Sequence, residues 1–178
     1  AGGEIGVIFQ DGAIRRMAYT PGSPVIFQID RIAEDHGIYA PYALIRDGDR
    51  VFYPSSEGFY MMAPTGSPVP IGKERVDRTF LADVDTGNLQ LFIGVAEPRA
   101  SRVVWAYKSL AGQTGLFDKL LIYDWSLNRW STAGVSGEYI ATAAQPGVTL
   151  ENLDSINSSI DALTTSLDDY STASLSSL

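Results

Sequence analysis

Through the first 148 residues, apolar positions either alternate with polar ones or gather in short runs, and the runs stop at Gly, Pro, Asp or Asn. A period of two bounded by turn residues marks half-buried strands. An opening hairpin is predicted from Ile5–Phe9 and Ala13–Tyr19 about Gln10-Asp11-Gly12, since Asp-Gly between apolar runs suits a tight hairpin turn. The Pro21-Gly22-Ser23-Pro24 cluster closes it. Val25–Ile29 reads as a further strand, and Asp30–His36 as one helical turn capped by Gly37.

A second group follows in the same manner. Tyr42–Arg46 and Arg50–Tyr53 flank Asp47-Gly48-Asp49, while Gly58–Ala63 and Val69–Ile71 flank Pro64–Pro68, which predicts one antiparallel meander of four strands. A third group runs through Gln90–Ala96, Arg102–Tyr107, Lys119–Asp124, Arg129–Thr132 and Glu138–Ala144. The fold class expected is all-β. Antiparallel four-stranded meanders that recur every 40 to 50 residues or so are the repeat of a β-propeller, whose sheets bury their faces by stacking on neighbours. A β-sandwich is the alternative, with the same strand count and turn chemistry. Three blades cannot close a ring that typically needs four to eight. The expectation is therefore an incomplete propeller, with residues 1–148 as its β-rich domain, belonging to a longer chain in the favoured reading or completed by blades from other subunits in the alternative.

Residues 149–178 are of another kind. Twelve of the thirty are Ser or Thr, yet Leu150, Leu153, Ile156, Ile160, Leu163, Leu167 and Tyr170 recur at spacings of three and four. That spacing fits one face of a helix, although Ser, Thr and Asp are mediocre helix formers. The tail reads as a helical or extended docking segment, with Leu153, Ile156, Ile160, Leu163, Leu167 and Tyr170 as candidate subunit-contact residues, or else as an acidic linker.

Charge adds to this division. The net charge of −8 splits into −5 from Thr149 onward, where there are five acids and no base, and −3 in the body. A surface specific for nucleic acid needs clustered Lys and Arg, and the only basic doublet is Arg15-Arg16. No apolar run nears the roughly 20 residues that span a bilayer. The chain has no Cys, which removes thiolate metal sites and cysteine nucleophiles.

Candidate chemistry is sparse. Glu34-Asp35-His36 sets two acids beside the single His, but adjacent side chains diverge, so a loop role is expected. Asp47-Gly48-Asp49 and Asp83-Val84-Asp85 begin like calcium loops and lack the later oxygen ligands, so both read as turns. Asp124–Trp130 (DWSLNRW) resembles the turns of sialidase and kelch blades without their glycines, and reads as a hairpin with two packed indoles. A glycosidase would need two acids, drawn from Glu34, Asp35, Glu57, Asp83 and Asp85, to converge across a cleft. No catalytic, metal or cofactor site is expected.

Taken in order, IGVIFQDGAIRRMAY, IAEDHGIYAPYALIRDGDRVFYPSSEGFYMM, PIGKERVDRTFLADVD, RVVWAYKS, LLIYDWSLNRWS and LDSINSSIDALTTSLDDYS resemble the later part of the β-propeller tail proteins of short-tailed bacteriophages and prophages, called stabilisation, tail-hub or nozzle proteins. The resemblance implies a non-enzymatic virion component, in a ring of identical subunits, commonly six, beside portal and other tail proteins. It also implies that DNA passes through the assembly without sequence-specific binding, and that the chain is made in the bacterial cytoplasm. A glycan-binding or host-recognition β-domain, using Trp125 and Trp130, is the alternative from another class.

Overall fold

The computed structural model describes residues 5–97 and 99–143, and the described part of the chain forms one compact unit that ends at Thr142. The Ser-rich segment with its candidate contacts from Leu153 to Tyr170 lies outside the described residues. Eleven strands make three antiparallel sheets, each a meander in chain order. The first sheet is β1 (Ile5–Phe9), β2 (Ala13–Tyr19) and β3 (Phe27–Glu34). The second is β4 (Ile45–Asp47), β5 (Arg50–Ser55), β6 (Gly58–Met62) and β7 (Val69–Pro70). The third is β8 (Ile93–Glu97), β9 (Arg102–Tyr107), β10 (Phe117–Asp124) and β11 (Arg129–Gly137). The all-β expectation holds. No helix among the described residues is long and apolar enough to cross a membrane.

Three local expectations need correction. Asp30–His36 is not a helical turn: through Glu34 it continues β3, paired with β2 as far as Ala13↔Glu34. Pairing along a ready-made partner strand engages the backbone groups on the β2 side of this stretch and continues a ladder already begun, which a single isolated turn cannot do. Gly37 accordingly caps nothing; it sits so close to the carbonyls of Gln10 and Asp11 that a Cβ there would overlap them. Glu138–Ala143 forms no strand, the last of the third sheet being β11, itself longer than the Arg129–Thr132 expected. The first sheet has the three strands expected, its third displaced from Val25–Ile29 to Phe27–Glu34.

The connection from the second sheet to the third holds two elements that a period-two reading passes over: α1 (Asp77–Asp83), and a 3-10 stretch at Thr86–Leu91. The seven residues of α1 are too few to stand alone in water. The helix is fixed from outside. Asp77 in its first turn accepts the Phe59 backbone N–H at 3.1 Å. Its carboxylate fills a slot against Gly58 and Gly72, where a Cβ at either glycine would overlap it, and Gly58 also has φ +140. Burial pushes the Asp77 carboxyl above its ordinary range, with the Phe59 amide opposing.

The middle sheet is covered on both faces because its strands alternate. Val51, Tyr53, Tyr60 and Met62 pack with Ile14 and Phe9 of the first sheet. Phe52 and Phe59 point the other way, to Val103, Trp105, Leu121 and Tyr123 of the third. Phe59 is the hub of that second layer. Its ring lies 4.7 Å from Trp105, 4.8 Å from Phe80, 5.2 Å from Trp130 and 6.3 Å from Phe92.

Polar bonds fix how the second and third sheets meet. All three tryptophans of the chain belong to the third sheet and its turns, and each indole N–H crosses to the second-sheet segment. Trp105 donates to the Ala43 carbonyl at 2.8 Å, Trp125 to Asp47 Oδ2 at 3.3 Å and Trp130 to the Ile71 carbonyl at 3.1 Å. Arg75 adds two bonds to Asn128, at 2.6 and 2.7 Å. An apolar interface alone would tolerate sliding, whereas a buried carbonyl stripped of its donor costs about 1–3 kcal/mol. Two predictions test this. Phe59→Ala lowers stability by about 3–5 kcal/mol, and Trp105→Phe, which keeps an aromatic ring of smaller size but orphans the Ala43 carbonyl, by at least about 1–3 kcal/mol; both are read by urea unfolding followed through the remaining indoles.

Candidate functional site

The acids proposed as a glycosidase pair are distributed rather than convergent. Glu34 Oε1 is 2.7 Å from Arg31. Asp35 occupies a left-handed turn at φ 62, and its backbone N–H donates to the Gly12 carbonyl. Glu57 Oε2 lies 3.5 Å from His36 Nδ1 and receives the Tyr60 hydroxyl at 3.4 Å. The His36 ring itself packs 4.9 Å from Tyr60, so this histidine finishes the loop after β3 against the second sheet.

Asp83 and Asp85 are bonded to separate partners of the third sheet and the 3-10 stretch. Asp83 receives Lys119 Nζ at 2.7 Å and the Tyr107 hydroxyl at 3.0 Å. Asp85 receives the buried Lys108 Nζ at 2.7 Å, the Asn88 amide at 2.7 Å and the Gly87 N–H at 3.0 Å. Hydrogen bonds from Lys108, Asn88 and Gly87 hold the Asp85 carboxyl below its usual range. Burial, together with the bond to Asp83, pushes the Tyr107 phenol upward. Each carboxylate thus has its own lysine, Lys119 for Asp83 and Lys108 for Asp85. Asp83-Val84-Asp85 is no simple turn: Asp83 ends α1 and Asp85 caps the 3-10 stretch.

Asp118 completes this network across the loop between β9 and β10. It accepts the Ser109 N–H and the Ser109 hydroxyl, both at 2.7 Å. Burial works against the ionised form, yet these bonds and the nearby Lys119 charge outweigh it and hold the carboxyl below its ordinary range. At the other end of the sheet Asp124 organises the β10–β11 turn, accepting the Ser126 hydroxyl at 2.7 Å and the N–H groups of Ser126 and Leu127 at 3.1 and 3.0 Å. The turn that looked like a sialidase or kelch element is therefore built by an aspartate that ties its own backbone. Asp47-Gly48-Asp49 is the tight β4–β5 turn, with Gly48 at φ 57. Among the described residues no group of three or more His, Asp or Glu side chains could hold a metal ion.

The tryptophans proposed as sugar platforms are engaged elsewhere. Trp130 stacks on Tyr123 at 4.6 Å and on Trp105 at 5.8 Å, and Trp125 lies under the Arg50 guanidinium at 4.0 Å. Exposed aromatics occur at a different place. Tyr42, 67% exposed, and Tyr139, 75% exposed, border a groove of about 520 Å³ along β8, lined also by Gln90, Ile93, Val95 and Ile140. Beside it the Thr142 hydroxyl donates to the Ala96 carbonyl at 2.7 Å. Tyr139 lies past the last strand, and nothing in its immediate sequence marks it.

Two sheet faces carry apolar side chains on the side away from the core. On the first sheet the register aligns Gly6, Met17 and Ile29 in one row and Tyr19 with Phe27 in the next, all on the side away from the middle sheet. Ile29 and Phe27 are 50% and 51% exposed there. On the third sheet, the side away from the core carries Val95, Val104 and Ile122 in one row and Ile93, Ala106 and Leu120 in the next. The first face is exposed and is not called for by a fold in which alternation ends at solvent, whereas on the third Ala106 is fully buried and the other side chains are half-buried, with Glu138–Thr142 alongside β8.

No protein-family model matches the sequence, and no curated protein matches it.

The Asp118 network makes a pH prediction. A carboxyl held below its unfolded value contributes stability that is complete above that value, 3.8, and is lost as the pH falls through the folded value. Asp118→Asn therefore flattens the acid limb of stability below about pH 4 and removes about 1 kcal/mol at neutral pH. Urea midpoints collected from pH 2 to 7 read both effects.

Proposed function

We propose that this chain is a non-enzymatic structural part of a ring-shaped assembly, in which its three stacked meanders serve as consecutive blades of a β-propeller. The observation that carries the reading is the exposed apolar outer face of the first sheet, where Ile29 and Phe27 stand half in solvent, beside a middle sheet whose two faces are both covered. A sheet covered on both faces is the interior unit of a stack, and an outer sheet with a free apolar face is a unit awaiting its neighbour. Three sheets are fewer than the four to eight that typically close a propeller, so further sheets complete the ring.

The setting comes from the sequence. The ordered resemblance to the tail-hub and nozzle proteins of short-tailed phages favours a virion tail, with the ring around the path of exiting DNA, portal and tail proteins as neighbours, and assembly in the host cytoplasm. The body carries little net charge for its size, which suits passage of DNA better than adhesion to it. Rigid aromatic contacts of the Phe59 kind suit a part that must keep its shape under load.

A second reading has an observation of its own. The groove between Tyr42 and Tyr139 offers two exposed aromatic rings with the polar Gln90 and Glu138, the elements with which a glycan-binding or host-recognition domain grips sugar rings. It no longer needs Trp125 or Trp130.

The experiment that separates them is native mass spectrometry with negative-stain microscopy of the full chain. The structural reading predicts discrete rings, and Tyr139→Ala leaves them unchanged. A strictly monomeric protein that retains host glycans, and stops doing so on Tyr139→Ala, overturns it in favour of the second reading.

A further inference from the structure

We infer that β1 is an acceptor edge, to which another polypeptide adds an extended segment as the fourth strand of the first sheet. The segment lays alternate apolar side chains, and one carboxylate, into a groove between β1 and β4. The inference goes beyond the assembly reading and does not depend on a ring.

The other two sheets show where such a strand belongs. Each has four strands in chain order, and their opening strands β4 and β8 lie against one another, with Ile45 so close to Gly94 that a Cβ there would overlap it. The first sheet has three strands, and its β1 stands beside β5, with the Phe9 ring 4.9 Å from Tyr53. The two sides of β4 record what is missing. Ile45, toward β8, is buried, whereas on the opposite side Leu44 is half-buried and Arg46 exposed. That side holds a groove of about 250 Å³, walled by Ile5, Val7 and Phe9 of β1 and by Leu44, Arg46 and Val51 across from them.

Backbone direction decides what fills the groove. Gln10 donates to the Ala13 carbonyl at 2.9 Å at the head of the β1–β2 hairpin, and bonding alternates along an antiparallel ladder. Gly6 and Ile8 therefore bond to β2, while Ile5, Val7 and Phe9 turn their N–H and C=O groups to the outer edge, where no backbone bond among the described residues meets them. The same three residues line the groove. A small apolar ligand would fill the space and leave those donors and acceptors unmet, whereas an extended backbone with a period of two satisfies both. Arg46 adds a charge requirement. It is exposed at the groove wall, and the Gly48 carbonyl at 3.1 Å is its one hydrogen-bond partner among the described residues. A carboxylate on the groove-facing side of the incoming strand completes it. The stretch around β4 carries this pattern itself, with Ala43, Ile45 and Asp47 at alternate positions.

The probe is a fluorescein-labelled peptide copying Tyr42–Gly48 (YALIRDG), titrated with the full chain by fluorescence anisotropy, with amide hydrogen exchange read by mass spectrometry. Saturable binding is expected, together with slowed exchange at Ile5–Phe9 and not along β8. Val7→Pro is expected to leave the chain folded and to weaken binding by about tenfold or more, because this N–H meets no strand within the chain and proline is tolerated at such an edge. Arg46→Glu is expected to weaken binding by about tenfold and to recover it with the peptide in which lysine replaces the aspartate. A merely structural role of Arg46 predicts no such exchange of preference, so this pair decides the matter even where Val7→Pro fails to fold. The inference is overturned by a folded wild-type chain that shows no saturable binding, by protection at a different edge, by a folded Val7→Pro that binds as wild type, or by a charge exchange without effect. Ile5–Phe9 amides already protected in the absence of peptide overturn it too, since the edge is then taken by the chain's own segments or by a second copy.

Discussion

Everything in this molecule depends on one sheet being buried twice. β5 and β6 send alternate side chains to opposite sides, so Tyr53 and Phe52, neighbours in sequence, belong to different cores. A strand register has no tolerance under that constraint, because a slip of one residue would exchange the two sets. The Asp77 carboxylate bonded to the Phe59 N–H holds β6 in place, and the three indole N–H groups fix the third sheet against the second. Packing supplies the attraction and these few bonds select one arrangement from the many that greasy faces would allow.

The distribution of ionised groups follows from the same layering. Carboxylates gather at the ends of the third sheet, Asp83, Asp85 and Asp118 at one end and Asp124 at the other, and each is held by backbone N–H groups, hydroxyls or a lysine. Such sites resemble active centres when read along the sequence, since acids, lysine and tyrosine come together. Their partners give them away: every charge is answered locally, an arrangement that shapes loops.

The strands were legible wherever turn chemistry was explicit. Gln10-Asp11-Gly12, Asp47-Gly48-Asp49 and the Asp124–Asn128 turn each separate strands close to the expected boundaries, because these turns need residues that accept unusual φ or bind their own backbone. Asp30–Glu34 was misread because Ile, Ala and acids in that order suit a helical turn equally well, and only the waiting β2 edge decides the matter. α1 was passed over because its stabilising partner, the slot between Gly58 and Gly72, lies outside any local window. The same limit hid the groove: Tyr42 and Tyr139 are far apart in sequence and share a surface only after the third sheet has formed. That Trp125 and Trp130 would be packed indoles was readable from their hairpin; which carbonyl and carboxylate they would reach was not.

The indole bonds also set an order of events. Each meander closes over a short stretch of chain, while Trp105 reaches Ala43 across 62 residues and Trp125 reaches Asp47 across 78. Short loops close at little entropic cost and long ones at more. The sheets can therefore form one after another as the chain is made, each carrying a greasy face until the next arrives. On this account φ-values are high within the β5–β6 hairpin and low at Trp105. The bonds that make the finished stack rigid are then the last to form, and until they do each sheet remains free to choose its neighbour, whether from its own chain or another.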